Sequence, residues 1–251
     1  FSTSTGDVRR NALSDFTNVK ANGKIAMKLP NETTLVGVKI CSNQNDVMLT
    51  TSMGKLIRFP VSDVRVFKGR DSIGVRGIKL AANDFVVSMA IIRHVDASSE
   101  ERQAYFKIRK NLSEEVSSIE QIDQSDPTEM ISDKRFADLA DQEEWILTVT
   151  AAGYGKRSSA HEYRVSSRGG QGIMAANLER REDTIISSFP VEDDDQIMLV
   201  TSTGQSIRCP VQGISRQSRT ASGVTIFNTS NNEKVVSVAW IAEKGEPEIE
   251  N

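Results

Sequence analysis

The chain has 251 residues, 38% hydrophobic and 26% charged, an ordinary globular composition with enough length to bury a sizeable core. No apolar run approaches a membrane span and no signal pattern opens the chain, while two cysteines (Cys41, Cys209) and two histidines (His94, His161) give no disulfide framework, metal cluster or His-based catalytic centre, so the sequence points to a protein of the reducing cytoplasm without a membrane. The formal net charge of −3 is uneven: residues 96–144 carry 14 acidic and 6 basic side chains and 242–251 carry 4 and 1, which leaves 16 acidic against 24 basic elsewhere.

Along the chain one unit recurs with a period near fifty residues. The first copy starts at Phe1 and runs through Gly6 to Arg9 and Arg10; Gly23 follows, then alternating Ile25, Met27 and Leu29, then Leu35–Ile40. The second runs from Val47 through Gly54 to Arg58, then Gly74 with Ile78 and Leu80, then Phe85–Ile92. The third takes Ile146 through Gly153 to Arg157, then Gly169, Gly170 and Gly172 with Ile173, then Thr184–Phe189. The fourth takes Ile197 through Gly204 to Arg208, then Gly223 with Val224 and Ile226, then Lys234–Ile241. A glycine between two β-rich runs suits a tight hairpin turn, and four short strands per unit suit a propeller-like blade. The expected class is all-β: four blades of about four strands each, at 1–40, 41–95, 145–192 and 193–241. Between the second and third lies an acidic, partly helical insertion, 96–144, in which Ser98-Ser99-Glu100-Glu101 caps a helix with Tyr105, Ile108 and Leu112 on one face, and Gln121–Thr128 is a loop. An acidic tail, 242–251, ends the chain, and Trp145 and Trp240 are assigned to the core.

The run from Asp46 to Leu80, with Gly54-Lys55-Leu56-Ile57-Arg58-Phe59 and Gly74-Val75-Arg76-Gly77-Ile78, resembles the blade signature of the C-terminal domain (β-pinwheel) of the DNA gyrase A family, among the bacterial type IIA topoisomerases. So does Gly155-Lys156-Arg157 followed by Glu162-Tyr163-Arg164 and Arg168-Gly169-Gly170-Gln171-Gly172. The resemblance covers all four units. It implies a disc usually of six blades, whose neighbours exchange strands and whose basic rim wraps DNA; here a partial disc of the last four blades, the first beginning in mid-strand. The family's box, Gln-Arg-Arg-Gly-Gly-Lys/Arg-Gly, is matched in part by Ser166-Ser167-Arg168-Gly169-Gly170-Gln171-Gly172, a degenerate later copy, with the intact box expected before Phe1.

Wrapping without sequence preference needs a curved row of cations on phosphates and glycine-rich backbone that approaches them closely. The candidates after the first glycine turns are Arg9, Arg10, Lys55, Arg58, Lys156, Arg157 and Arg208. Those around the second are Lys24, Arg65, Lys68, Arg70, Arg76, Arg164, Arg168, Arg216 and Arg219, with Gly169, Gly170, Gln171 and Gly172 of the box. An arginine four residues after each turn glycine serves either phosphate or an inter-blade ion pair. The resemblance implies double-stranded DNA, the remainder of gyrase A, and gyrase B as partners, in a nucleoid-associated, cytoplasmic setting. It places no catalytic centre and no cofactor in this piece, with ATP and Mg used elsewhere in an ATP-dependent enzyme that introduces negative supercoils. The isolated piece is expected to be a monomer. The alternatives are the corresponding C-terminal domain of topoisomerase IV, which selects DNA segments, and a protein-interaction propeller. The insertion is either a passive excursion or an acidic competitor for the rim.

Overall fold

The computed structural model describes residues 1–19, 21–115, 131–179, 182–230 and 233–241. The first unit contributes β1 (Ser2–Thr3), β2 (Asp7–Val8) and β3 (Leu35–Gly37). The second contributes β4 (Asn45–Thr51), β5 (Lys55–Pro60), β6 (Val75–Arg76) and β7 (Val86–Arg93). After α1 (Ser99–Glu115) and α2 (Asp133–Asp141) come β8 (Trp145–Thr150), β9 (Tyr154–Ser159), β10 (Ile173–Met174) and β11 (Ile185–Val191). The fourth has β12 (Gln196–Thr201), β13 (Ser206–Pro210), β14 (Val224–Thr225) and β15 (Val235–Ile241).

These strands make four antiparallel sheets, and three of them borrow a strand. Their orders are β3-β1-β2-β6, β10-β5-β4-β7, β11-β8-β9-β14 and β13-β12-β15. The short strand after the second glycine of the second, third and fourth units therefore pairs with the sheet of the preceding unit: Val75 opposite Val8, Ile173 opposite Leu56 and Val224 opposite Gly155. The implied strand exchange is present. Segment 24–29 of the first unit, expected as a strand, has no sheet to join among the described residues and is not one.

Hydrophobic cores lie between units rather than inside them. Val8 packs with Leu49, Phe59, Val64 and Ile78; Met48 and Leu56 pack with Ile146, Tyr163 and Ile185; Leu147 and Val149 pack with Leu199, Ile214 and Val235. A blade alone is too thin to bury its apolar faces, so neighbours must supply the other wall. Strands β3, β7, β11 and β15 touch in succession and form the inner wall, where buried Ser88 Oγ donates to Ser188 O at 2.6 Å. The exchanged strands lie at the opposite edges of their sheets and so form the outer rim.

Of the insertion, residues 96–115 and 131–144 are described and carry both helices. Ser98 and Glu101 form a reciprocal capping box, Glu101 N to Ser98 Oγ at 3.1 Å and Ser98 N to Glu101 Oε2 at 2.8 Å. Tyr105, Ala104 and Leu139 close a fourth core with Val95 and Ile131, and His161 Nε2 meets Leu139 O at 2.9 Å. The helices thus dock on the third unit. Leu112, expected on the packed face, is 51% exposed, and the loop assigned to Gln121–Thr128, like the tail, lies outside the described residues. Trp240, assigned to the core, is 54% exposed on the last sheet. Trp145 is half-buried, with the guanidinium carbons of Arg109 and Arg216 at 5.2 and 4.4 Å from its ring centroid.

The hairpin needs a glycine for two separable reasons, of which the exchange supplies only one. Gly153 and Gly204 both sit at positive φ, +79° and +86°, but a Cβ on Gly153 would meet Phe227 O at 2.2 Å whereas one on Gly204 meets nothing within 4 Å. Gly204→Ala should cost about 1–2 kcal/mol, the left-handed backbone penalty alone, and Gly153→Ala clearly more, because it also displaces the incoming chain. Urea unfolding of both variants checks this, and equal losses would contradict it.

Candidate nucleic-acid interface

The sixteen candidate cations separate by burial. Arg9, Arg58, Lys156 and Arg157 are buried, at 2, 3, 1 and 5% exposure. Arg10, Lys24, Arg70, Arg168 and Arg219 are half-buried, and Lys55, Arg65, Lys68, Arg76, Arg164, Arg208 and Arg216 are exposed.

The arginine four residues after the turn glycine is a joint between units. Arg58 donates through Nε to the fully buried Asp46 at 2.7 Å, through a terminal nitrogen to Ala160 O of the next unit at 2.9 Å, and through the other to Arg93 O at 3.1 Å. Asp46 also meets His94 Nδ1 at 2.7 Å. Arg157 repeats the scheme, with Nε on Ile214 O at 2.7 Å and an ion pair to Asp193. The backbones at these residues bridge in parallel to the next unit, Arg10 to Val66, Arg58 to Val165 and Arg157 to Arg216. Arg157 makes an ion pair across units, to Asp193, whereas Arg58 pairs with Asp46 of its own unit and crosses to the next one through Ala160 O. A buried guanidinium with its nitrogens spent on carboxylate and carbonyls does not reach a phosphate.

Arg9 and Lys156 leave the rim set for the same reason. Arg9 lies over Phe67 and donates to Ser72 O and to Asn11 Oδ1. Lys156 Nζ donates to Ser218 O and Arg219 O at 2.8 and 2.5 Å, while Glu162 accepts from Arg219 N at 2.8 Å. Burial pushes the Lys156 ammonium down to about 7, against the attraction of Glu162 and with repulsion from Arg219. Burial likewise raises the Glu162 carboxyl, which Arg219, through its backbone N–H and its charge, and Lys156 oppose.

A second arginine recurs four residues before the second glycine, and its pattern is regular. Arg70 donates to Ile25 O at 3.3 Å, Arg168 to Arg76 O at 3.0 Å and Arg219 to Met174 O at 2.8 Å. Each acceptor is the residue two past the second glycine of the preceding unit, and Arg76 and Met174 lie on exchanged strands. One guanidinium per joint is thereby fixed at the outer rim, only half-buried, with several of its five N–H donors uncommitted. In the sequence these three arginines stand among many; their common register emerges only with the carbonyls they hold.

The degenerate box lies on the same rim. Gly169 N donates to Gly77 O at 2.6 Å, Lys79 N to Gly170 O at 2.8 Å, and Ser166 N to Arg58 O at 2.9 Å, so the loop straps the third unit onto the second. Beside it runs a cleft of about 320 Å³ lined by Arg164, Ser166, Ser167, Gly170, Gln171 and Gly172 against Leu56–Arg58, with no acidic side chain in its wall. Exposed Lys79 joins this edge and was not among the candidates; its place beside Gly170 is set by a contact across units. Arg65 stacks on Phe67 at 4.4 Å, and Arg216 pairs with Asp193 at 2.7 Å. Lys24 is turned inward onto Asp15 O, and Arg10 onto Asn43. Lys55, Lys68, Arg76, Arg164 and Arg208 carry no ion pair among the described residues.

Neither buried tyrosine is set up as a nucleophile: burial, with Glu143 adding, pushes the Tyr105 phenol up to about 12, and Tyr163 is wholly buried. No group of three His, Cys, Asp or Glu suited to a metal occurs among the described residues.

The profile of the family described as "DNA gyrase C-terminal domain, beta-propeller" matches residues 2–42, 45–93, 144–192 and 195–239, one segment per unit, and skips residues 94–143 of the insertion region. The chain belongs to this gyrase C-terminal domain family. It is 44% identical over 257 residues to the DNA gyrase A protein of Granulibacter bethesdensis and 39% identical over 251 residues to that of Rickettsia bellii, covering 97 and 100% of this chain but only 27 and 28% of those proteins. Among solved structures it is similar to a DNA topoisomerase IV C-terminal domain (TM-score 0.71, 20% identity, 96% of this chain and 60% of that one). It is also similar to a DNA gyrase A C-terminal domain (TM-score 0.68, 20% identity, 96 and 64%). At that identity the structures speak for the pinwheel fold alone, and the gyrase assignment comes from the family profile and the sequence relatives.

Within this gyrase-type domain, Lys156 gives a pH signature of the third joint. Its amine titrates near 7 when folded and near 10.5 as a free side chain, so between these values the unfolded chain binds more protons and stability rises with pH. Below about pH 7 the amine is charged in both states and this contribution stays at its minimum. Urea midpoints should therefore climb between pH 7 and 9 more steeply for the wild type than for Lys156→Met; equal slopes would contradict the buried-amine account.

Proposed function

We propose that this chain binds double-stranded DNA without sequence preference and bends it around the outer rim, as the C-terminal domain of a gyrase A protein. In that role it supports ATP-dependent negative supercoiling by the enzyme assembled with gyrase B in the cytoplasm, with ATP and Mg handled outside this domain.

The observation that carries the reading is the row Arg70, Arg168 and Arg219, one guanidinium per joint, each seated on a backbone carbonyl two residues past the second glycine of the unit before. A cation already held on a carbonyl gives up little side-chain freedom when it meets a phosphate, and a repeat that curves carries the row along a curved path. Arg76, Arg164, Arg208, Lys55 and Lys68 extend the positive edge. Such contacts release condensed counterions and read no base, so affinity comes without sequence preference. Bending a short duplex costs of order a few kcal/mol, which only many simultaneous contacts offset.

A salt titration of duplex binding tests this. The slope of log K against log salt should be steep for the wild type and shallower by about 0.9 for each rim arginine that loses a phosphate in the triple variant Arg70→Gln, Arg168→Gln, Arg219→Gln, with circular dichroism showing that the variant is folded. An unchanged slope would remove these residues from the interface, and a shallow wild-type slope would favour the protein-interaction propeller instead.

A further inference from the structure

The insertion is acidic as a whole, but its charges are segregated. Four of its 6 basic side chains, Arg102, Lys107, Arg109 and Lys110, fall within residues 102–110, which hold no acid. This stretch lies in α1 and packs against the third unit. Tyr105 is buried, its ring centroid 5.5 Å from that of His161. His161 belongs to the turn Ala160–Glu162, two residues before Arg164. Residues three and four apart share a helix face, so Arg102, Tyr105 and Arg109 lie on the same side of α1.

The two arginines of that face end differently. Arg109 is ion-paired to Glu143 at 2.5 Å and lies over Trp145. Arg102 is half-buried, with Ser99 Oγ at 3.3 Å and no ion pair among the described residues. Its surroundings are cationic. Burial, then the charge of Arg58, pushes the Arg102 guanidinium down, with Glu100 opposing and Arg164 adding. The acids around Arg58 are already engaged: Asp46 accepts from Arg58 and meets His94, and Glu144 accepts from Arg93 N at 2.7 Å.

Arg58 and Arg164 also line the cleft beside the degenerate box, whose wall has no acidic side chain. They mark the end where Arg58 bridges to Val165, away from the end where Ile173 faces Leu56. Three guanidiniums therefore gather at one mouth of an acid-free cleft. Like charges held this close repel, and an anion seated among them relieves the repulsion.

We propose that α1 carries the DNA path off the rim: Arg102, together with Arg164, holds a backbone phosphate of the duplex at this mouth, where the second and third units meet. The inference rests on the DNA-binding reading above and extends it to the insertion. A duplex is the source of the phosphate because Arg168, seated on Arg76 O, stands on the same loop and offers the next contact along the rim. The insertion is then neither a passive excursion nor a competitor for the rim, since the face it turns to the array is cationic.

Salt titration of duplex binding by the whole chain tests this with one variant and two controls. Arg102→Gln should make the slope of log K against log salt shallower by about 0.9, the share of one phosphate, so that the affinity lost over a tenfold rise in salt is about eightfold smaller than in the wild type. Arg102→Lys should keep the wild-type slope. Arg135→Gln removes the same charge from α2, where Arg135 is paired with Glu101, and should also keep it. Circular dichroism and urea midpoints show that each variant is folded. A steep wild-type slope that Arg102→Gln leaves unchanged, or that Arg135→Gln lowers equally, would overturn the part given to α1 and leave DNA binding by the rim in place. A shallow wild-type slope would sink the DNA reading itself, and this inference with it.

Discussion

The second, third and fourth units each give away the short strand after their second glycine, and the rest of the architecture follows from that exchange. A sheet that owns three strands and borrows a fourth cannot be completed alone. The borrowed strand brings the next unit's loop across the top of the hairpin, which is why Gly153 has a carbonyl 2.2 Å from where a side chain would begin. It also sets two units face to face, so that the apolar residues of each meet in a shared core. Stability in such an array is carried by nearest-neighbour joints, and damage at one joint should be felt by both units that share it.

The joints divide the arginines into two classes that composition cannot separate. Two arginines four residues after a turn glycine, Arg58 and Arg157, are consumed by the joint: Arg58 has its nitrogens on Asp46, Ala160 O and Arg93 O and is 3% exposed. Removing one partner of such a buried pair costs about 3–5 kcal/mol, because the other charge is stranded. The class four residues before the second glycine is held by backbone carbonyls alone and faces the rim. Truncating the first kind should unfold a joint, and truncating the second should leave the joint standing and change the electrostatic edge. Recurrence of an arginine in a repeat therefore carries no functional message until its partners are known.

Much of the fold was legible because it rests on local chemistry. The glycines at 6, 54, 153 and 204 announce positive φ between β-rich runs, and all four take it. Ser98 and Glu101 announce a capping box, and they form one. The features that stay hidden in the sequence depend on contacts between units. Segment 24–29 has the same alternation as its counterparts and is still not a strand, since a strand needs a sheet. Trp240 sits in a strand yet is 54% exposed, since among the described residues nothing packs over that face of the last sheet. Lys156 looks like a surface cation beside Arg157 and is the most completely buried of the candidates. The rim arginines are visible as candidates, but their common acceptor, the carbonyl two past the preceding second glycine, is a tertiary fact.

Wrapping, as distinct from binding, requires that the cations of successive joints act on one duplex at once. The curvature of the array then becomes the curvature of the DNA. The most direct measurement is to relax closed circular DNA with a type I topoisomerase while the chain is bound at saturating ratio, then remove protein and resolve the topoisomers. A linking-number shift that grows with the amount of chain bound is the predicted result. Saturating, salt-sensitive binding with a topoisomer distribution identical to that of free DNA would contradict the account, leaving a basic edge that holds DNA without bending it around the rim.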